Sequence, residues 1–196
     1  MKAIDCACNT VPHFAALKTA GVGIVIRYFD SQHSWKTATK VECDALKAHG
    51  FEIVSVFETT ATMMTSGFAG GVVDAKRAQA GVVQCGGWEY DFVYFACDTD
   101  SVPASTVTSY LDGASSVLGR YNVGIYGSFT NCKAAIDGGH CARAWQTVAW
   151  SHGLQYDKAS LFQELGKPLG DLGFDYDSDL VLDPSGNVGQ WVTNHP

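Results

Sequence analysis

Eight short β-rich runs recur along the chain, and each of the first five is followed by a helical pattern. That alternation limits the fold more than any other feature. The runs are Ala3–Cys6, Gly23–Phe29, Glu52–Thr59, Phe92–Asp98, Val123–Ser128, Ala144–Trp150, Ser160–Leu165 and Asp175–Leu182. The clearest helix places Val107, Tyr110, Leu111, Ala114 and Leu118 on one apolar stripe. Ser101 is its expected cap and Pro103 its first turn. Further helices read at Pro12–Ala20, Thr39–His49, Ala69–Gln84 and Asn131–Asp137, with Gly21, Gly50 and Gly138 at their C-terminal ends. Strands alternating with helices predict a parallel sheet with helices outside it. Eight strands predict an α/β fold, a single (β/α)8 barrel of the TIM type spanning residues 1–196. The chain has 196 residues, short of the ~250 usual for such a barrel. The shortfall falls late: Ser151–Lys158 and Gly166–Gly173 are too short and too glycine-rich for full helices, so the helices there are reduced to loops. An open doubly wound sheet is the alternative.

Charge and composition exclude several roles. Net charge is −7, with 20 acidic against 13 basic residues and no basic stripe, which argues against nucleic acid as a partner. A small neutral ligand or a sugar suits this surface better. No apolar run reaches the roughly 18–20 residues of a membrane span. The sequence opens Met1-Lys2-Ala3-Ile4-Asp5, without the apolar core of a signal peptide. The seven cysteines have neither C-x-x-C nor zinc spacing and read as buried reduced thiols, with a Cys132–Cys141 pair as the lesser alternative. No metal and no organic cofactor is expected, since nucleotide-binding loops are also missing.

Polar residues gather where strands end. Asp5 closes the first strand, Arg27 and Tyr28 the second, Glu58 the third, and Asp98 with Asp100 the fourth. Tyr126 lies near the end of the fifth, Gln146 and Trp150 in the sixth, Gln163 in the seventh, and Asp175 with Asp177 in the eighth. In a (β/α)8 barrel the active site lies at the C-terminal ends of the strands. Carboxylates crowded there raise one another's pKa, the condition an acid/base pair needs on a glycosidic bond. Asp98 and Asp100 share a strand face with Tyr94 and Ala96, their Cβ atoms roughly 6–7 Å apart. Each residue also has a plainer reading. Asp98 and Asp100 suit a turn and helix cap; Arg27 suits a buried ion pair with Asp5 or a neighbour. Tyr28, Tyr126 and Trp150 suit either core packing or sugar stacking. Gln146 and Gln163 are inward amides in need of partners. Asp175 and Asp177 suit a turn, and only partly match a calcium loop.

Taken in order, Ile4-Asp5, Arg27-Tyr28-Phe29, Val56-Phe57-Glu58, the run from Tyr94 to Asp100, the run from Val123 to Ser128, Ala144-Trp145-Gln146-Thr147, Leu161-Phe162-Gln163 and the run from Phe174 to Asp177 resemble the bacterial "glycoside hydrolase-like" barrel family. That family was long labelled a domain of unknown function. It is related to the Chalaropsis-type lysozymes, which cleave peptidoglycan between muramic acid and glucosamine units. The resemblance runs from Ile4 to Trp191. It implies that Asp98 stabilises the cation or positions the substrate's acetamido group. It implies that Asp100 stands where the lysozymes carry their general-acid Glu, and that Asp5 and Asp175 are further active-site carboxylates. Asp100 is one methylene shorter than that Glu, so Glu58 is the alternative acid. The implied function is a peptidoglycan-directed glycosidase of the muramidase kind, expected as a monomer acting at the cell wall. With no signal peptide in the sequence, a phage endolysin module fits this reading. A glycan-binding barrel that lost its acid is the alternative. A metal-dependent hydrolase, which lacks the usual His ligands, ranks behind both.

Overall fold

The computed structural model describes residues 2–164, 166 and 168–192. Leu165 at the end of the expected seventh strand, Lys167 in the linker after it, and both ends of the expected domain lie outside the described residues. The elements run β1 (Lys2–Asp5), α1 (Phe14–Ala20), β2 (Val22–Tyr28), α2 (Lys40–Ala48), β3 (Glu52–Phe57), α3 (Gly67–Gln84), β4 (Val93–Ala96), α4 (Ala104–Leu118), β5 (Val123–Gly127), α5 (Phe129–Asp137), β6 (Arg143–Thr147), β7 (Leu161–Gln163) and β8 (Asp177–Val181). The strands close into a barrel in chain order, which removes the open doubly wound alternative.

Strands β1 to β7 are parallel, but β8 runs antiparallel to both β7 and β1. The cause is the missing helix. A parallel return needs a crossover long enough to travel the length of the barrel, usually through a helix. The described residues between β7 and β8 contain none, so the chain turns back along the barrel instead. The consequence for the site is direct. The mouth formed by the C-terminal ends of β1 to β7 also receives the start of β8, and Asp177 there pairs in register with Asp5.

Local chemistry sets the helix ends. Thr39 caps α2 by accepting from the Glu42 N–H, and Ser128 caps α5 by accepting from the Asn131 N–H. Ser101 does not cap α4. Its N–H and hydroxyl are both engaged with Thr99 Oγ1, and extended Pro103 precedes the helix without a side-chain cap. At the end of α5, Gly138 stays right-handed and Gly139 takes the positive φ instead. Helices α3 and α4 pack at close range because glycines meet the facing backbone. A Cβ on Gly71 would lie 2.0 Å from the Tyr110 carbonyl oxygen, and one on Gly113 would lie 2.1 Å from that of Phe68.

After β8 the chain folds back against the far end of the barrel, where the Tyr94 hydroxyl donates to the Val188 carbonyl at 2.9 Å. All seven cysteines are free thiols, Cys8 half-buried and the rest buried. None of the described helices is long and apolar enough to cross a membrane.

Candidate active site

Successive side chains on a strand point to opposite faces, so a barrel divides each strand into inward and outward residues. At the mouth, each strand or the residues just past it supplies one inward polar or aromatic group. These are Asp5, Tyr28, Glu58, Asp98, Tyr126, Trp145, Gln163 and Asp177, and with Val56 and Ala96 they line a cavity of about 130 Å³. Four carboxylates therefore meet in one small space with three aromatic rings. A shallower recess continues from it along Cys6, Ala7, Asp175 and Tyr176.

The carboxylates differ in their surroundings. Glu58 has a cationic partner: Lys36, on the loop after β2, reaches it at 2.6 Å while lying over the Tyr28 ring. Asp98 has no such partner. It is half-buried, and burial followed by the Glu58 charge holds its carboxyl above the usual range. Asp5 is deeper, only 5% exposed, and burial raises it to about 7 against the lowering effect of a hydrogen bond from Gln163. That bond, Gln163 Nε2 to Asp5 Oδ2, is 2.8 Å. The Tyr126 hydroxyl donates to Gln163 Oε1 at 2.8 Å and lies 3.5 Å from Asp98 Oδ1.

Beneath Asp5 lies Asp179 of β8, fully enclosed. Its Oδ1 accepts from Trp145 Nε1 at 2.7 Å, and its Oδ2 has no N–H or O–H donor among the described residues. The Asp179 and Asp5 carboxyls meet, and burial, then the Asp5 charge, pushes Asp179 well above the ordinary carboxylate range. Two adjacent buried carboxyls without a cation hold a proton between them. Among the described residues no group of three or more His, Cys, Asp or Glu side chains has the arrangement of a metal site.

Of the residues expected from sequence, Asp5, Tyr28, Glu58, Asp98, Tyr126, Gln163 and Asp177 come together. Five do not enter the cavity. Arg27 faces outward behind β2, where its Nε and Nη2 hold Glu42 at 2.9 and 3.2 Å; the buried ion pair is real, but its partner is Glu42 and not Asp5. Gln146 also faces outward and pins the loop after β6, donating to the Leu154 carbonyl and accepting from the Tyr156 N–H. Trp150 lies half-buried on that loop with a positive φ of 55°. Asp175 lines only the shallower recess. Asp100 is exposed on the loop after β4, outside the cavity lining, because the strand ends at Ala96 and its alternation does not extend that far.

Three contributors escaped the sequence reading. Trp145 and Asp179 carry a period-two signal, Trp145 by sharing a face with Thr147 and Asp179 by sharing one with Asp177. Lys36 lies in a loop and carries none.

Solved structures match the whole barrel. The Tat-secreted protein Rv2525c of Mycobacterium tuberculosis aligns with a TM-score of 0.82 at 24% identity, covering 97% of this chain and 98% of that one. The catalytic domain of endolysin ply40 from bacteriophage P40 of Listeria monocytogenes aligns at 0.66 and 14% identity, covering 95% and 94%. GHIP, a glycosyl hydrolase 25 of Streptococcus pneumoniae, aligns at 0.58 and 16%, covering 95% and 88%. At these identities the likeness is one of fold. No curated protein matches the sequence. The profile of the Rv2525c-like, glycoside hydrolase-like domain matches residues 15–171, most of the barrel, and the chain belongs to that family.

Proposed function

We propose that this glycoside hydrolase-like domain is a glycosidase that cleaves bacterial cell-wall glycan. The reading rests on one observation above the others: Glu58 and Asp98 face the same cavity in opposite electrostatic settings. A carboxyl whose surroundings raise its proton affinity can act as an acid beside one that is paired with a cation. Likeness of fold to an endolysin catalytic domain and to a glycosyl hydrolase 25 supports the choice of substrate.

In this mechanism a sugar ring enters the cavity against the Tyr28 ring. Asp98, short of compensating charge, carries the proton and delivers it to the glycosidic oxygen as the bond to the anomeric carbon breaks. Glu58, held by Lys36, places its carboxylate beside the developing positive charge and stabilises it. Water then adds to the anomeric carbon and gives up a proton to the Asp98 carboxylate, which restores the acid. The lysozyme resemblance gives the proton to Asp100 and the charge-stabilising role to Asp98. The exposed position of Asp100 moves the proton to Asp98 in this proposal. A monomeric barrel acting at the cell wall, with all of residues 1–196 in one domain, completes the reading.

Purified peptidoglycan is the test substrate, with loss of turbidity followed and the products identified by mass spectrometry. Wild-type protein is expected to release new reducing ends, and Asp98→Asn to slow this by about 10²-fold or more. Binding to the same glycan with no cleavage would assign the barrel a binding role instead.

A further inference from the structure

The hydrogen bonds under the cavity form a directed chain. A phenol has one proton, and two acceptors face the Tyr126 hydroxyl: Gln163 Oε1 at 2.8 Å and Asp98 Oδ1 at 3.5 Å. The short contact takes the proton. The Gln163 orientation is fixed from its other end, because Nε2 donates to Asp5 at 2.8 Å. Below that, Asp179 Oδ2 is buried without a donor of its own, and the Asp5 and Asp179 carboxyls share a proton. Each link leaves the next group one role: Gln163 donates to Asp5, and Tyr126 donates to Gln163. The Tyr126 oxygen then faces Asp98 with lone pairs only.

We propose that Gln163 is a positioning residue: by taking the Tyr126 proton it leaves Asp98 facing an acceptor, and so keeps Asp98 in its protonated, donor form. Reversing the amide would reverse the chain. Gln163 Oε1 would then need a proton from Asp5, its Nε2 would donate to Tyr126, and Tyr126 would donate to an ionised Asp98. The amide orientation thus decides whether Tyr126 presents a lone pair or a proton to Asp98.

Other groups bear on both ends. Asp98 also faces Glu58, Lys36 and Asp177; Asp5 also faces Asp177, Asp179, Tyr28 and Cys6. Thr147 reaches the Tyr126 oxygen as well. Of these only Lys36 is a cation, and it is held by Glu58. The catalytic meaning of the chain rests on the glycosidase reading, but its existence does not.

The test therefore reads protonation directly. In full-length protein with carbon-13-labelled aspartate, the Asp98 carboxyl resonance is assigned by its loss in Asp98→Asn and titrated without substrate. Gln163→Leu frees the Tyr126 proton to turn toward Asp98, so the Asp98 midpoint is expected to fall by about one pH unit. An unchanged or raised midpoint overturns the proposal. Tyr126→Phe gives a second, independent sign: loss of an acceptor lowers the midpoint, whereas loss of a donor to Asp98 would raise it and overturn the proposal. If walls are digested and neither midpoint falls, the chain is wrong and the glycosidase reading stands. If the midpoints fall and no glycan is cleaved, the chain stands and the glycosidase reading fails.

Discussion

Two groups of charge lie on opposite sides of the barrel wall, and they are built on different principles. Behind β2, Arg27 is 1% exposed and bonded through all three of its nitrogens. It donates to both Glu42 oxygens and to the Cys6 and Lys36 carbonyls, while Glu42 Oε1 also accepts from the Thr10 N–H and hydroxyl. Within the mouth, Asp5, Asp98, Asp177 and Asp179 crowd together, and the nearby Lys36 goes to Glu58. The first arrangement satisfies each charge and holds the fold together. The second leaves like charges close and is held in place by the rest of the barrel, as a site poised for proton transfer is. The two are linked through Arg27 Nη1, which binds the Lys36 carbonyl and so helps to place the loop whose ammonium meets Glu58.

The sharpest break of this comparison is Arg27→Met. Removing one partner leaves the Glu42 carboxylate buried and uncompensated, with an expected loss of about 3–5 kcal/mol in a urea titration. Arg27→Met combined with Glu42→Met should recover most of it, since the uncompensated charge is gone. An Arg27→Met protein as stable as wild type would mean that this cluster is no more structural than the mouth.

A smaller effect of opposite sense is expected inside. The folded state holds Asp5 protonated up to about pH 7, while an unfolded Asp releases its proton near pH 4. The folded chain therefore binds more protons across that interval. Its stability is fully present below pH 4, falls as pH rises to about 7, and levels off above that as far as Asp5 is concerned. Asp179, whose carboxyl burial and the Asp5 charge also raise, acts in the same direction. In Asp179→Asn the amide oxygen still accepts from Trp145, and the amide nitrogen donates to Asp5 without needing a proton from solvent. This variant should gain about 1–3 kcal/mol at pH 8 and nothing at pH 4, read from denaturant midpoints across pH. Equal gain at both pH values would show that crowded charge is not the cause.

The same face-by-face division explains what the sequence made legible. Strand positions were readable because short apolar runs with turn residues between them leave little choice, and the late loops were readable from their glycines. The direction of β8 was not, because alternation has the same period whichever way a strand runs. Arg27 and Tyr28 are neighbours on one strand, so only one of them can face the mouth. Trp145 and Gln146 obey the same rule; the sequence points to both members of the first pair, but in the second only to the outward Gln146, the more polar of the two. Asp179 shares the Asp177 face but lies within a run of acids that resembles a turn. Lys36 meets Glu58 only through the folded path of a loop, which no local pattern encodes.

The smallest expected effect concerns the residue that the lysozyme resemblance makes most important. Asp100 is exposed and lies outside the cavity lining. Asp100→Asn should change stability by no more than about 0.5 kcal/mol, as surface substitutions do. If Asp98 carries the proton, Asp100→Asn should also leave peptidoglycan cleavage within about two-fold of wild type, against the 10²-fold or greater loss expected for Asp98→Asn. Rates for both variants on the same wall preparation decide between them. The reverse order, Asp100→Asn inactive and Asp98→Asn active, would mean that substrate draws the loop after β4 inward and that the acid comes from the rim. In that case the crowded carboxylates of the barrel mouth would stabilise charge without delivering the proton, and the chain through Gln163 would tune that field instead of an acid.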